Sequence, residues 1–149
     1  MLKGIPGIIS PELLDVLMRM GHGDTLALVD QNFPSDSVAA QTVWGSAVSL
    51  TGTGLIPLLE AVLRLMPLDE AADKPAVIMA APPDLCAQPI HLQMTDVLDK
   101  AVHGAVNPEF IPRFTFYERA RGAFAVVRTS ETARYANIII QKGVVTATV

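Results

Sequence analysis

Two places in the first thirty residues carry side chains suited to moving protons. The first is Gly21-His22-Gly23-Asp24. Imidazole changes charge near neutral pH and so suits proton transfer, and flanking glycines let a ligand approach closely. Taken alone, His22 reads more readily as a surface histidine that neutralises a helix end. The second is Asp30, at the exit of the short apolar run Thr25–Val29. Ligands of open α/β sheets bind at the carboxyl ends of strands, although an aspartate there also commonly bonds its own backbone in a turn. Asp24 reads as a turn aspartate for the same reason. His22 and Asp30 flank one strand, which separates them by roughly 25 Å at ~3.3 Å per residue. If both act on one small ligand, they come from different subunits or the chain between them folds back.

The last third of the chain clusters Arg113, Phe114, Phe116, Tyr117, Glu118 and Arg119, and then Tyr135-Ala136-Asn137. Aromatic faces for C–H surfaces and planar polar groups for vicinal hydroxyls are what a sugar site needs. Phe114 and Phe116 read as core, Tyr117 as half-buried, and residues 118–121 as solvated helix charges. Asn137 is different, because an amide inside a β-branched strand needs partners.

Other chemistries find less support. His91 and His103 open and close one expected helix, more than about three turns apart, so they do not make the i, i+4 pair of a helical zinc site. Gly52 and Gly54 lack the rest of a dinucleotide fingerprint, and no Gly-x-Ser-x-Gly elbow is present. Cys86 falls in a loop without a basic neighbour and reads as an unreactive thiol. A net charge of −4 with scattered Lys and Arg argues against nucleic acid.

The elements that must position these groups alternate. Ser10-Pro11-Glu12 opens a helix with Leu13, Leu14, Leu17 and Met18 on its apolar face, and Gly21 is placed to end it in the left-handed conformation. Strand one is Thr25–Val29. Residues 31–41 read as a polar loop, 42–50 as holding a strand with Val43, Trp44 and Val48, and 55–66 as a helix that tolerates Pro57 in its first turn. Residues 67–75 connect to a buried strand at 76–81. A helix over 90–103, a short strand at 109–112, a helix over 114–122 and strands at 124–127 and 135–141 complete the chain. The fold class is α/β, a three-layer α/β/α sandwich with a mostly parallel sheet. The last two strands are joined too briefly for a crossover and are expected as an antiparallel hairpin at or near one edge.

The 149 residues suit one domain, spanning 1–149. Half the residues are hydrophobic and 17% are charged, against a usual ~25%. No apolar run reaches the ~20 residues of a membrane span. The apolar excess therefore points to burial against copies of the same chain. A lone cysteine and the absence of a signal-peptide core point to the cytoplasm.

Taken in order, Ile9-Ser10-Pro11-Glu12-Leu13-Leu14, Met20-Gly21-His22-Gly23-Asp24, Asp30 with Phe33-Pro34, Arg113-Phe114 with Phe116-Tyr117-Glu118-Arg119-Ala120, and Tyr135-Ala136-Asn137-Ile138-Ile139 with Lys142-Gly143-Val144 resemble the RbsD/FucU family of sugar mutarotases. The Arg113 position places the chain nearer the L-fucose mutarotase branch. The resemblance implies a ring-shaped homo-oligomer, commonly a decamer, with its site at a subunit interface. It further implies His22 as proton donor, Asp30, Arg113, Tyr135, Ala136 and Asn137 as sugar-binding residues, and Tyr117 as an additional contact. Anomer exchange by ring opening and closure needs an acid and a base, with no metal, nucleotide or other cofactor. The alternatives are a non-catalytic sugar-binding accessory protein of carbohydrate uptake, which would not need His22, and a purely structural ring former.

Overall fold

The structure, a computed structural model, describes residues 2–85 and 88–146; Cys86 lies outside them. Ser10 turns the chain into α1 (Pro11–Arg19): its hydroxyl accepts the Leu13 N–H at 3.1 Å, and Leu13, Val16 and Leu17 are buried. Met20 leaves the helix in an extended conformation, so Gly21 is not the left-handed stop it was expected to be. The Asp24 carboxylate holds the Gly21 N–H at 2.7 Å, and the positive φ, 86°, falls on Gly23. Asp24 is thus a turn aspartate.

The chain continues through β1 (Thr25–Val29), α2 (Ser35–Ala39), β2 (Ala47–Ser49), α3 (Leu55–Leu63), β3 (Ala76–Met79), α4 (Pro89–Val102), β4 (Glu109–Ile111), α5 (Arg113–Arg121), β5 (Ala125–Arg128) and β6 (Ile138–Gln141). The sheet order is β2-β5-β1-β6-β3-β4. Every strand is parallel to the others except β6, which runs antiparallel between β1 and β3. Side chains alternate between two faces. Leu26, Leu28, Val127, Ile78, Ile138 and Ile140 join the core of α1, α3 and α4. Ala27, Val29, Val126, Met79 and Ile139 join that of α2 and α5. This is the expected three-layer sandwich. The β1–α2–β2 and β4–α5–β5 connections step one way along the sheet over one face. The β2–α3–β3 and β3–α4–β4 connections step the other way over the opposite face, as a single crossover hand requires.

Three local expectations are corrected. β5 and β6 form no hairpin: both flank β1, and residues 129–137 cross its end, stitched there by Thr129 N–H to the Val29 carbonyl and Gln31 N–H to the Glu131 carbonyl, each 3.0 Å. β6 is central because Ile138, Ile139 and Ile140, 0%, 2% and 0% exposed, need a layer on both faces. The loop over 31–41 contains α2, five residues following Pro34, too short to show a periodicity. Finally, Val43 and Trp44 lie in a turn ahead of a shorter β2, with Val43 exposed.

Candidate active site

The direction of the connections reverses between β1 and β3, and β6 fills that gap. Asp30 leaves β1 and Asn137 enters β6 side by side. The Asn137 Oδ1 accepts the Asp30 backbone N–H at 2.9 Å, and its Nδ2 donates to the Asp30 carboxylate at 2.8 Å. The same carboxylate accepts the Asn32 N–H at 2.9 Å, so Asp30 also closes its own turn. Burial pushes the Asp30 carboxyl above its ordinary value, against bonds from Asn137 and the Asn32, Phe33 and Ala136 N–H groups that pull it down. Both side chains are buried, yet they floor a cavity of about 180 Å³.

Arg113, the first residue of α5, and Tyr117, one turn on, form a second wall; Phe33, Met79, Arg134 and Tyr135 complete it. Tyr117 meets Phe33 edge-on at 5.2 Å and Phe114 at 6.0 Å, and the Arg113 guanidinium lies 4.6 Å over the Phe114 ring. Phe114 is 68% exposed, against Arg113 and Tyr117 rather than in the core, whereas Phe116 is fully buried as expected. Tyr135 has a φ of 60°, a left-handed conformation that costs a bulky residue on the order of 1–2 kcal/mol.

The cavity thus gathers Asp30, Arg113, Tyr117, Tyr135 and Asn137. The Ala136 side chain is buried in the core, and only its N–H serves the site, through Asp30. His22 is elsewhere. It stands at the amino end of β1, its Nε2 3.0 Å from the Asp69 carboxylate, which also accepts the Gln141 amide at 2.9 Å. His22 is half exposed and Asp69 is buried. Burial works to raise the Asp69 carboxyl, but hydrogen bonds from His22, the Ala71 N–H and Gln141 hold it below the ordinary value. A fixed carboxylate on one ring nitrogen orients the imidazole.

The chain passes Asp69 closely at Gly143, where an added Cβ would lie 2.6 Å from the Leu68 carbonyl oxygen and 2.9 Å from the Asp69 Cα. These are backbone atoms and cannot swing aside. Gly143→Ala should therefore lower the unfolding free energy by about 1–3 kcal/mol in urea titrations. It should also disturb the His22–Asp69 contact, visible as a changed His22 imidazole resonance.

Residues 3–145 match the RbsD / FucU transport protein family. The chain is an RbsD/FucU protein. Among its relatives, the fucose mutarotase of Homo sapiens is 45% identical over 96% of this chain and 94% of its own. The L-fucose mutarotase of Actinobacillus pleuropneumoniae serotype 5b is 42% identical, covering 97% of each. The crystal structure of the Streptococcus pneumoniae fucose mutarotase in complex with L-fucose superposes with a TM-score of 0.88 at 37% identity, over 97% of this chain and 100% of that one. Within this RbsD/FucU fold, Asp69, Met79 and Arg134 are not marked by the sequence, and Phe33 is marked only as part of the motif that follows Asp30. Arg134 stood beside a recognised tyrosine, but nothing local marks Asp69, which lies 47 positions from His22.

Proposed function

We propose that this protein is an L-fucose mutarotase, an isomerase that interconverts the α and β anomers of the free sugar. The observation that carries it is the cavity at the reversal of the sheet: a carboxylate–amide pair on its floor, an arginine and two tyrosines on its walls, and the space of one small sugar. The Asp30–Asn137 pair and Arg113 address hydroxyls, and the Tyr117 and Tyr135 rings address C–H faces. His22, oriented by Asp69, gives a proton to the ring oxygen while a base takes the proton of the anomeric hydroxyl, and the bond between the anomeric carbon and the ring oxygen opens to the free aldehyde. Closure on the other face reverses both transfers.

Within one protomer His22 and the cavity are at opposite ends of β1, so the reaction requires two copies. Both ends carry exposed apolar side chains: Leu92, Phe110 and Phe114 at 73%, 49% and 68% near the cavity, and Met18, Val144 and Val145 at 77%, 59% and 65% near His22. Two different surfaces meeting head to tail generate a ring when the rotation closes. The assembly we propose is such a homo-oligomeric ring, with His22 of one protomer at the mouth of its partner's cavity. We place it in the cytoplasm; no helix among the described residues is long and apolar enough to cross a membrane.

Saturation-transfer proton NMR with L-fucose, D-ribose and other aldoses tests the activity. Faster exchange for L-fucose is the expected result. Line broadening without faster exchange for any sugar would leave only a binding protein. Mixing tests the shared site. His22→Ala and Arg113→Ala proteins, each inactive, should regain activity when dissociated and reassembled together, with roughly a quarter of sites intact for random assembly. No recovery would place both groups in one chain's site.

A further inference from the structure

His91 has no part in the chemistry above, yet the structure ties it to the site. It lies in the first turn of α4, whose opening residues are Pro89 and the buried Ile90. Its ring Nε2 is 3.1 Å from the backbone carbonyl oxygen of Tyr135. A carbonyl only accepts, so Nε2 carries the proton and donates. The ring also sits edge-on to Phe110 of β4 at 5.6 Å. Its backbone carbonyl accepts the Thr95 hydroxyl at 3.0 Å, which fixes the turn that presents it.

The carbonyl it holds belongs to the strained residue of the cavity. Tyr135 adopts a φ of 60°, which turns its carbonyl toward α4 while its ring lines the cavity, two residues before Asn137. Phe110, on the other side of His91, lies in the strand that delivers Arg113. His91 therefore spans the two segments that carry the cavity walls, the β4–α5 junction and the loop between β5 and β6. Neither Phe110 nor Tyr135 is near His91 in sequence, so nothing local would supply this link.

We propose that His91 is a positioning residue of the sugar site: its donated hydrogen bond holds Tyr135 in the left-handed conformation and so sets the placement of the Tyr135 ring and of Asn137. It touches neither sugar nor proton in flight. The proposal rests on the mutarotase reading for its kinetic consequence, but the geometric consequence stands without it.

Two substitutions separate donor from bulk. His91→Leu keeps an apolar body beside Phe110 and removes the donor; His91→Gln restores an N–H at similar reach. With L-fucose, His91→Leu should raise KM roughly tenfold and change kcat much less, because the cavity is misplaced while His22 is untouched. His91→Gln should return KM to within about threefold of the parent. In carbon-13 and nitrogen-15 spectra without sugar, the Tyr135 carbonyl and the Ala136 amide should shift in the Leu variant and revert in the Gln variant. An unchanged Tyr135 carbonyl in His91→Leu would overturn the proposal, as would a Gln variant no better than Leu by KM and by shift. If the parent protein itself fails to accelerate anomer exchange, the mutarotase reading fails, and the carbonyl shifts still decide the role of His91. Should His91→Leu not fold, the Gln variant decides: a parental Tyr135 carbonyl shift supports the hydrogen bond, and a displaced one overturns it.

Discussion

His22→Ala should slow protein-catalysed anomer exchange by about 10²–10⁴-fold while leaving L-fucose affinity within about twofold, because general acid catalysis is worth that much and the imidazole lies outside the cavity that grips the sugar. The expectation depends on the separation in the structure. The groups proposed to hold the sugar line one cavity at the carboxyl ends of β1, β3 and β4, around Asp30 and Asn137. His22 stands at the other end of the sheet with Asp69 and Gln141. Removing it leaves the cavity's hydrogen bonds intact. Asp69→Asn serves as the companion variant. It preserves shape and the Gln141 neighbour but replaces the carboxylate that orients the ring, and so should reduce kcat by less than His22→Ala does, with KM little altered. Saturation transfer gives kcat, and line broadening in the same tubes gives affinity. Loss of affinity equal to the loss of rate in His22→Ala would mean that His22 binds sugar and does not specifically act on the transition state. Full activity without His22 would remove it from the mechanism altogether.

How far the residues disclosed this arrangement depends on whether their signals are local. Ser10, Pro11 and the spaced leucines of α1 fix a helix by themselves, and Thr25–Val29 is bounded by turn residues on both sides, so His22 and Asp30 could be set at opposite ends of one strand from sequence. Asn137 announced itself as an amide among isoleucines, and the structure supplies its partner, Asp30, 107 positions away. What stayed hidden is what only the tertiary fold joins. The 67–75 connector gives no sign that Asp69 meets His22. The β5–β6 loop is short enough to suggest a hairpin, and only the three consecutive buried isoleucines carry the opposite message, that β6 needs neighbours on both sides. Phe114 looks like core by type, but it sits in the first turn of α5 with its ring under the Arg113 guanidinium. Its exposed ring is among the side chains that the proposed contact between copies would cover.

Asn137→Ala should be the most destabilising single change at the site, and its effect should depend on pH. The substitution strips the Asp30 N–H of its acceptor and the Asp30 carboxylate of a donor, both in a buried setting. Leaving buried polar groups short of a partner costs about 1–3 kcal/mol each, and the cavity floor is lost with it, so sugar binding should fail too. The sign of the pH effect follows from Asp30. Its carboxyl lies above the ordinary value of 3.8 in the folded protein, so the folded state holds that proton more tightly than the unfolded chain does. Asp30 therefore favours folding most below its unfolded value, and that contribution is lost as pH rises through the raised one. Asn137 is one of the groups restraining the shift. Without it, burial acts less opposed, the shift grows, and the stability lost on going from acid to neutral pH becomes larger. The gap in unfolding free energy between parent and Asn137→Ala should be widest at neutral pH and should narrow on acidification toward the ordinary carboxylate value. Urea titrations of both proteins at several pH values give the gap directly. A gap that does not change with pH would mean that Asn137 matters to Asp30 through its backbone N–H alone and leaves the carboxylate's ionisation untouched.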